Sequence, residues 1–450
     1  MGERARELSV LIIGDIIVFN IALWMTLLVR YFELPTLERL EQHFPPFLTI
    51  SAVWLSIFFI SGLYDKHTNL LKKFMVSRIL SAQILNVVVA GFLFFVLPFG
   101  ITPKTNLIIY LIISIILLTL WRLRAVPLLS PKQRHKAILI ADGPEAIELV
   151  DEINNNDRYN YYFIRIIDGE TLRSTGDFEQ KIRSLMEREQ VELIVADSRG
   201  ESIKTFLPTL FNLSFLHFAF TFLDFNRLYE DTFDRVPVRM LQYEWFITNI
   251  SQSKKTMYDA LKRMIDVAGA LILLIPAALI FPFIALVIKL QDKGPLFYHT
   301  TRVGQFNKPI TIYKFRTKNG TDVGSAALKS TLTDTRMGVY LRKLRLDELP
   351  QLINVLRGDL SFIGPRPEMP ALAEVYAREI PYYNTRHFLK PGLSGWAQIN
   401  NYDVPRGGVD VERTIAKLSY DLYYLERRSL LLDIHIALKT IATILMRTGT

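Results

Sequence analysis

The chain has 450 residues, of which 50% are hydrophobic, 22% are charged and none is cysteine. This length can hold more than one domain, and the lack of cysteine excludes disulfides and thiolate metal sites. The formal net charge of +9 suits nucleic acid, an anionic membrane surface or phosphate-bearing substrates. Because the sequence is so apolar, we expect membrane headgroups and phosphates as partners, and no nucleic acid.

Four apolar segments fill the first quarter of the chain, at residues 9–29, 46–64, 79–99 and 105–121. Each approaches the roughly 20 residues that a helix needs to cross a bilayer. The first segment lacks a small-residue cleavage site and precedes further apolar segments, which argues against a removable signal peptide. We therefore predict a four-helix transmembrane bundle over residues 1–128.

Basic residues indicate the orientation of this bundle. They lie before the first segment, between the second and third, and after the fourth: Arg4, Arg6, Lys66, Lys72, Lys73, Arg78, Arg122, Arg124, Lys132, Arg134 and Lys136. The positive-inside rule then places the N-terminus and everything after residue 125 in the cytoplasm. Asp15 lies within the first segment, where it either marks a functional polar site or makes a hydrogen bond within the bundle. We favour the hydrogen bond because the segments show no evident partner.

Residues 129–250 alternate between strand and helix patterns. Strands are predicted at 136–142, 161–168 and 191–197, and helices at 143–155 and 179–189. This order is typical of a parallel, Rossmann-like α/β sheet. The turn after the first strand has only one glycine, followed by Pro144, and is a poor cradle for a dinucleotide. A scaffold or regulatory module is therefore favoured over a nucleotide site.

The segment Val267–Ile288 is apolar for 22 residues and is long enough to cross a membrane. Pro276 and Pro282 lie inside it and favour a kink, and lysines flank both of its ends. A full crossing would also place residues 290–450 outside, away from nucleotide-activated donors. We predict a re-entrant helix that bends near Pro276 and returns to the same face. Together with a mostly helical catalytic domain it occupies residues 251–450.

The adjacent carboxylates Asp347 and Glu348 lie just before Pro350, which a helix tolerates only in its first turn. A helix beginning near Leu346–Glu348 would place both at its positive end, which lowers the pKa of a carboxyl group. We expect an ionised, nucleophilic Asp347 and a Glu348 whose pKa is pushed upward by the like charge. Taken alone, such a pair more often caps a helix.

Basic residues around this pair shift the interpretation towards phosphate chemistry. Gly364-Pro365-Arg366-Pro367 forms a rigid turn that presents one guanidinium. Lys314 and Arg316 alternate with aromatic residues and should share one face of a strand. Arg342 lies shortly before Asp347 and Glu348 in the domain predicted to dock on the membrane. Each cluster alone suits a solvated surface. Together they favour a phosphate-handling site.

Residues 255–445 resemble the bacterial sugar transferase family, the monotopic phosphoglycosyl transferases. The matching motifs include Lys262-Arg263 with Asp266, Gly294-Pro295, Arg302-Val303-Gly304, 313-YKFRT-317, 346-LDELPQL-352, 354-NVL-356, Gly364-Pro365-Arg366-Pro367 and 390-KPGLSGWAQ-398. The bundle and the α/β module further resemble the large subgroup of polyprenyl-phosphate hexose-1-phosphate transferases. The chain is thus expected to be a membrane protein of α plus α/β class in the bacterial inner membrane, with its catalytic domain in the cytoplasm.

The resemblance implies a ping-pong reaction between a UDP-hexose and undecaprenyl phosphate, beginning capsule, exopolysaccharide or O-antigen assembly. Asp347 would be the nucleophile that carries the phosphosugar, and Glu348 would assist as a base. Mg²⁺ is expected near Asp347. Lys314, Arg366 and Asp421 fall on family positions needed for activity, and glucose or galactose is the expected sugar.

The chain departs from the family pattern at several positions: Thr300, Lys318, Arg345, Asn401 and Tyr402. Asn401 and Tyr402 replace the usual Gly-Arg, so the choice of sugar cannot be transferred from the family. The C-terminal segment 430–446 is predicted to be an interfacial or packing helix, with a structural role for His435 and no structural zinc.

Two other functional classes remain open from the sequence. One is a membrane scaffold or regulator of polysaccharide assembly that keeps the fold without turnover, although the intact Asp347 and Glu348 argue against it. The other is a transporter, which would need polar, broken helices in the first four segments, and those segments look too simple for it. The bundle and the α/β module also provide surfaces for a homodimer.

Overall fold

A computed structural model describes most of the chain. The described residues are 3–64, 72–96, 104–129, 134–157, 159, 161–169, 178–213, 220–250, 255–291, 294–319, 333–400 and 409–446. The predictions that involve Lys66, Lys132, Asn401 and Tyr402 lie outside these residues, as do the side chains of Arg4, Arg6, Lys72, Lys73 and Arg78.

Four long helices form the first part of the structure: α1 (Glu3–Tyr31), α2 (Leu37–Ile60), α3 (Lys72–Val96) and α4 (Lys104–Leu129). They share one hydrophobic core. In this core the ring of Trp54 contacts those of Phe19 and Tyr110, and Tyr110 also contacts Phe47. Trp54 also donates from Nε1 to the carbonyl of Asn86 at 2.9 Å, which joins α2 to α3. The opposite faces leave aliphatic side chains exposed, as expected of helices in an apolar environment.

Within the described residues, three helices are long and apolar enough to cross a membrane, namely Leu8–Tyr31, Leu37–Ile60 and Thr256–Gln291. Shorter apolar stretches lie at Ala82–Phe94 and Asn106–Arg122. The predicted membrane character is therefore supported by length and composition.

Asp15 has a partner that sequence reasoning missed. Its carboxylate accepts from Arg122 at 2.5 Å and from the Tyr64 hydroxyl at 2.7 Å, and Arg122 also donates to the carbonyl of Leu63 at 3.0 Å. Arg122 had been assigned to the cytoplasmic flank of the fourth segment, so its charge was not connected with a residue 107 positions away. The statement that the segments lack a partner for Asp15 is thus wrong, and the favoured structural role becomes an ion pair that joins α1, α4 and the end of α2.

The predicted parallel sheet is confirmed. Its strands are β1 (His135–Ile140), β2 (Tyr161–Ile167), β3 (Leu193–Ala196) and β4 (Thr221–Asp224), in the order β2-β1-β3-β4 with every pairing parallel. Helices α5 (Pro144–Asn154), α6 (Phe178–Glu189), α7 (Glu201–Lys204), α8 (Leu207–Asn212) and α9 (Phe225–Phe233) flank it. Separate hydrophobic cores cover the two faces of the sheet, as parallel sheets require.

The segment after α9 packs against the C-terminal part of the chain. It contains helix α10 (Tyr243–Asn249), and Val236, Val238, Leu241 and Trp245 share a core with residues of the last 150 positions. Trp396 donates from Nε1 to the carbonyl of Asp234 at 2.8 Å. The end of the predicted accessory domain therefore packs into the core of the predicted catalytic domain.

Helix α11 (Thr256–Gln291) is 36 residues long and contains Pro276 and Pro282. Its buried residues are Asp266, Ala270, Ile284 and Ile288, whose spacing places them on one stripe of the helix. The remaining surface between residues 271 and 286 is largely exposed and apolar. Both halves of α11, before and after Pro276, contact the same catalytic domain.

The predicted catalytic domain combines short strands with helices. Strands β5 (Phe297–Val303) and β6 (Pro309–Phe315) pair antiparallel, as do β7 (Lys318–Asn319) and β8 (Thr333–Asp334), whereas β9 (Ser361–Ile363) and β10 (Gly392–Ser394) pair in parallel. The helices are α12 (Arg336–Lys343), α13 (Gln351–Arg357), α14 (Pro370–Glu379), α15 (Trp396–Asn400), α16 (Val411–Arg427) and α17 (Leu430–Met446).

Helix α17 connects the catalytic domain to the helices at the start of the chain. The ring of His435 lies 4.6 Å from that of Phe59 on α2 and 5.4 Å from that of Trp396. Ser394 and Thr440 also share a hydrogen bond of 2.6 Å. The segment is thus a packing helix, and His435 lies at the contact between two parts of the fold.

Candidate active site

Asp347 and Glu348 lie in a 3₁₀ turn (Leu346–Glu348), and α13 begins only at Gln351. The predicted α-helical start at these carboxylates is therefore displaced by one turn. Pro350 takes the N-cap position of α13, which its missing N–H allows. Arg345 enters the turn with a φ of 56°, a left-handed conformation that is unusual for a residue with a side chain and recurs at functional sites.

Asn354 holds the turn against strand β6. Its buried amide donates to the carbonyl of Thr311 at 2.7 Å and accepts from the backbone N–H of Tyr313 at 3.2 Å. Both contacts fix α13 beside the strand that carries Lys314. The ammonium of Lys314 consequently lies 2.9 Å from the carboxylate of Glu348.

A pocket open to solvent lies at this ion pair. Its wall consists of Arg302, Ile312, Lys314, Glu348, Gln351, Arg366, Pro367, Gly392 and Leu393. The structure therefore brings together three of the predicted site residues, Lys314, Glu348 and Arg366. Asp347 is adjacent in the chain but is not part of the wall, and only 6% of its surface is exposed.

The electrostatics of the carboxylate pair are the reverse of the expectation. Burial and the neighbouring Glu348 raise the pKa of Asp347 to about 6. Burial alone would raise the pKa of Glu348 as well, but Lys314, Arg366 and Arg345 together lower it below its usual value. The predicted directions were wrong because the sequence does not show that Lys314 pairs with Glu348. Glu348 is thus the firmly ionised member, and Asp347 is ionised at neutral pH but remains easily protonated.

Arg366 is positioned by the close approach of two glycine-rich loops. The N–H of Gly364 donates to the carbonyl of Ser394 at 2.8 Å, and that of Gly392 donates to the carbonyl of Pro365 at 3.0 Å. A Cβ on Gly364 would lie 2.4 Å from a backbone oxygen, and one on Gly392 would lie 2.1 Å from a backbone nitrogen. Larger residues would separate the loops, so these glycines place the Arg366 turn over the pocket.

Asp421 lies behind this turn rather than in the pocket wall. It is 1% exposed and pairs with Arg386 at 2.7 Å, and Arg386 donates to the carbonyl of Arg366 at 3.0 Å. A second buried pair, Lys417 with Glu368 at 2.6 Å, adjoins it. Any effect of Asp421 on a phosphate would therefore pass through Arg386 to the backbone that carries Arg366.

Arg316 and Arg342, both predicted to bind phosphate, do not line the pocket. Arg316 follows the end of β6 and donates to the carbonyl of Lys318 at 3.1 Å. Arg342 pairs with Asp334 at 2.5 Å. From these positions Arg316 and Arg342 add to the positive electrostatic potential around the pocket.

The start of α11 contacts two elements that lie beside the pocket. Arg263 donates to the carbonyls of Val355 and Leu356 at 2.6 and 2.7 Å, satisfying the C-terminal end of α13. Asp266 accepts from Ser361 Oγ at 3.1 Å and from the N–H of Phe362 at 3.0 Å. The motif Lys262-Arg263 with Asp266 thus fastens the helix to both elements beside the pocket.

Sequence reasoning missed two pocket residues, Arg302 and Gln351. Arg302 lies in one of the motifs on which the resemblance rests. Its position near the end of a strand and ahead of a glycine was the sequence feature that could have identified it as a pocket residue. Gln351 is 5% exposed, and its Nε2 has no hydrogen-bond partner in the described part of the chain. A buried donor of this kind in a pocket wall is uncommon.

Groups of three or more His, Cys, Asp or Glu suited to a metal are absent from the described residues. Mg²⁺ commonly binds through one or two carboxylates together with substrate phosphates. Glu348 is engaged by Lys314, which leaves Asp347 as the carboxylate that fits such a partial site.

Comparison with known proteins gives these motifs a family context. Residues 257–447 match the family described as bacterial sugar transferase. Over 196 residues the chain is 41% identical to the UDP-N-acetylgalactosamine-undecaprenyl-phosphate N-acetylgalactosaminephosphotransferase of Aeromonas hydrophila, covering 43% of this chain and 45% of that protein. Over 239 residues it is 35% identical to the UDP-glucose:undecaprenyl-phosphate glucose-1-phosphate transferase of Escherichia coli strain K12, covering 52% of this chain and 47% of that protein.

A shorter relative is matched over nearly its whole length. The exopolysaccharide production protein PSS of Rhizobium leguminosarum bv. phaseoli is 37% identical over 195 residues, which are 42% of this chain and 96% of that protein. By contrast, the matched region spans about half the length of the first two relatives. Those two are named for different sugars.

Proposed function

The chain belongs to the bacterial sugar transferase family, and we propose that it transfers hexose-1-phosphate from a UDP-sugar to undecaprenyl phosphate. The observation that carries this proposal is the Asp347-Glu348 pair beside a pocket walled by Lys314, Arg302 and Arg366. Two of the matched relatives are named as transferases with undecaprenyl phosphate as acceptor. The products would be undecaprenyl-diphosphate-hexose and UMP, the first step of capsule, exopolysaccharide or O-antigen assembly.

In the proposed reaction, an oxygen of Asp347 attacks the sugar-bearing phosphorus and the bond from that phosphorus to the bridging oxygen breaks. The bridging oxygen departs with UMP, and the phosphosugar stays on Asp347. An oxygen of undecaprenyl phosphate then attacks the same phosphorus and releases the Asp347 carboxylate. A pKa of about 6 leaves Asp347 ionised at neutral pH, as a nucleophile requires.

Glu348 holds Lys314 in this proposal. Its lowered pKa makes it a weak proton acceptor, so electrostatic positioning of Lys314 is supported better than the base role that the resemblance implied. Mg²⁺ held by Asp347 and the donor phosphates would supply charge neutralisation at the phosphoryl oxygens.

The proposed location is the bacterial inner membrane, with α1 to α4 spanning it and the catalytic domain in the cytoplasm. Residues before α11, such as Trp245, share one buried core with residues after it, such as Tyr383 and Leu422. A chain cannot build one water-facing core from opposite sides of a membrane. This supports a re-entrant α11 that bends at Pro276 and exposes its apolar face to one leaflet.

Cysteine labelling can test this topology cleanly because the chain has no native cysteine. Glu244→Cys precedes α11 and Glu374→Cys follows it, and both positions are exposed. In spheroplasts, both cysteines should resist a membrane-impermeant maleimide until the cells are lysed. Labelling of only one of them from outside would contradict the re-entrant arrangement.

The activity is tested by incubating the purified full chain with Mg²⁺, undecaprenyl phosphate and one UDP-sugar at a time. UDP-glucose, UDP-galactose and their N-acetylated forms cover the sugars expected from the resemblance and named in the relatives. We expect UMP release with at least one donor, and a single turnover of UMP release when the lipid is omitted. If no donor gives UMP, the alternative of a catalytically silent membrane scaffold is favoured.

A further inference from the structure

The pocket has more positive charge than its carboxylates can balance. Lys314 is paired with Glu348 at 2.9 Å, and behind the wall Lys417 is paired with Glu368 and Arg386 with Asp421. The carboxylate of the wall and the two behind it therefore each have a cation at ion-pair distance, and the ionised Asp347 lies outside the wall. Two guanidiniums of the wall, Arg302 and Arg366, have no ion pair among the residues that the structure describes.

These two guanidiniums also repel each other. Burial and the nearby charge of Arg366 lower the pKa of Arg302, while Glu368 partly opposes this. Placing two like charges in one pocket is costly unless an anion lies between them. A diphosphate diester carries two negative charges, which match the two unpaired guanidiniums in number.

The two guanidiniums lie at different positions relative to the reacting carboxylates. Arg366 is among the cations whose charge acts most on Glu348, together with Lys314 and Arg345. Tyr298 faces Lys314 in the pairing of β5 with β6, and Arg302 lies four residues further along β5, which is about 13 Å along the strand. The N–H of Val303 beside it donates to the carbonyl of Glu368 at 2.9 Å. Arg366 is therefore the cation nearer to the reacting phosphorus, and Arg302 is the more remote.

We infer that Arg302 forms a phosphate subsite that is occupied in turn by the leaving nucleoside monophosphate and by the phosphate of the incoming lipid. This inference rests on the proposed transfer reaction. In phosphoryl transfer the attacking and leaving oxygens lie roughly in line. Asp347 is the partner on one side of the phosphorus in both steps, so both phosphate monoesters must occupy the side opposite to it.

The charge changes of both steps suit a guanidinium at this position. When the bond to the bridging oxygen breaks, its electron pair stays on that oxygen, and the nucleoside monophosphate gains one negative charge. In the second step the lipid phosphate loses one negative charge as its oxygen bonds to phosphorus. A fixed, always charged guanidinium stabilises the dianion in both directions without a proton transfer.

The test compares Arg302→Gln and Arg302→Lys with Arg413→Gln, a matched loss of one exposed cation on α16. Binding of UMP and of uridine to the full chain in detergent is measured by calorimetry. We expect Arg302→Gln to weaken UMP binding about 10- to 100-fold, with partial recovery in Arg302→Lys, uridine binding unchanged and no effect of Arg413→Gln. Unchanged UMP affinity in Arg302→Gln would overturn the inference.

The two half-reactions provide a second measurement. UMP release without lipid, and transfer from the preformed intermediate to undecaprenyl phosphate, should both slow in Arg302→Gln by similar factors. Slowing of UMP release alone would contradict a shared subsite. If the unmodified chain releases no UMP from any UDP-sugar, the proposed function itself fails. If it does so while Arg302→Gln behaves like the unmodified chain, only the present inference fails.

Discussion

The helical region at the start of the chain and the candidate pocket each contain a close ion pair, fully buried in the first and partly buried in the second, with opposite consequences. Asp15 and Arg122 lie at 2.5 Å with exposures of 0% and 1%, and further contacts with Tyr64 and Leu63 complete their hydrogen bonding. Lys314 and Glu348 also pair closely, but the same pocket wall holds Arg302 and Arg366, for which the described part of the chain supplies no ion pair. The first group is electrically complete, whereas the second needs an anion.

This difference distinguishes a structural ion pair from a functional one. A buried pair whose partners are all present holds elements together, and removing one partner leaves an uncompensated charge. A site with surplus charge and a carboxyl group of raised pKa lowers the stability of the fold, and the same unbalanced charge lets it bind and react. The comparison therefore predicts that substitutions in the two regions will affect stability and activity in opposite ways.

The largest effect is expected from Asp347→Asn. It removes the nucleophile, so UMP release should fall by at least about 1,000-fold. The same substitution should stabilise the fold, because burial and Glu348 disfavour the ionised carboxylate. Folding raises the pKa of the Asp347 carboxyl group from 3.8 to about 6, so the wild-type chain loses stability as the pH rises between these two values. The variant should gain roughly 1–3 kcal/mol above pH 6 and almost nothing near pH 4.

These outcomes are measured by UMP release and by thermal unfolding in detergent at the two pH values. Glu374→Gln, which removes an exposed carboxylate on α14 outside the pocket wall, serves as the control and should retain turnover. Substantial UMP release by Asp347→Asn would exclude its covalent role. A lower unfolding temperature above pH 6 would contradict the described electrostatics.

The next effect is expected from Arg122→Gln in the helical region. Loss of this guanidinium leaves the carboxylate of Asp15 without its ion-pair partner in an apolar interior, which should cost about 3–5 kcal/mol of stability. Arg124→Gln, an exposed position on the same helix, is the matched control. Adding Asp15→Asn to Arg122→Gln should recover part of the loss. Thermal unfolding and folded yield measure the effect, and equal behaviour of Arg122→Gln and Arg124→Gln would show that the pair contributes little.

A smaller loss is expected from Asn354→Leu. The substitution removes the hydrogen bonds that fix α13 beside β6 and leaves buried backbone groups unpaired, at a cost of about 1–3 kcal/mol. Because the same contacts set the position of Lys314 relative to Glu348, turnover should fall even where the protein remains folded. Unfolding curves and turnover below the unfolding transition separate the two effects. Full activity in the folded variant would show that Asn354 does not position the pair.

The smallest effect concerns pH. With Asp347 as nucleophile, UMP release should decline below about pH 6 as its carboxylate becomes protonated. Glu348→Gln removes the like charge that helps to raise this pKa and frees Lys314, so the acid limb should move to lower pH. Burial remains, so the pKa should stay above its ordinary value. A pH profile of single-turnover UMP release measures the shift, and movement to higher pH would contradict the proposed coupling.

Much of the fold was readable from local sequence. Apolar length predicted membrane-type helices, and alternating strands and helices predicted the parallel sheet, because both depend on residues close together in the chain. The catalytic pair was also marked locally, since Pro350 constrains where a helix can begin. The motifs around it were sufficient to indicate the family.

Long-range contacts decided the rest. Arg122 lies 107 positions from Asp15, and Lys314 lies 34 positions from Glu348, so neither partner could be assigned by spacing. The contact between Lys314 and Glu348 sets the directions of the pKa shifts of Asp347 and Glu348. Because the sequence did not reveal this contact, both shifts were predicted with the wrong sign. The sequence by itself indicated the Asp347-Glu348 pair, the basic motifs around it and the family. Only the tertiary structure decided which charges are already balanced and which guanidiniums are left for phosphate, because that balance depends on packing between distant segments.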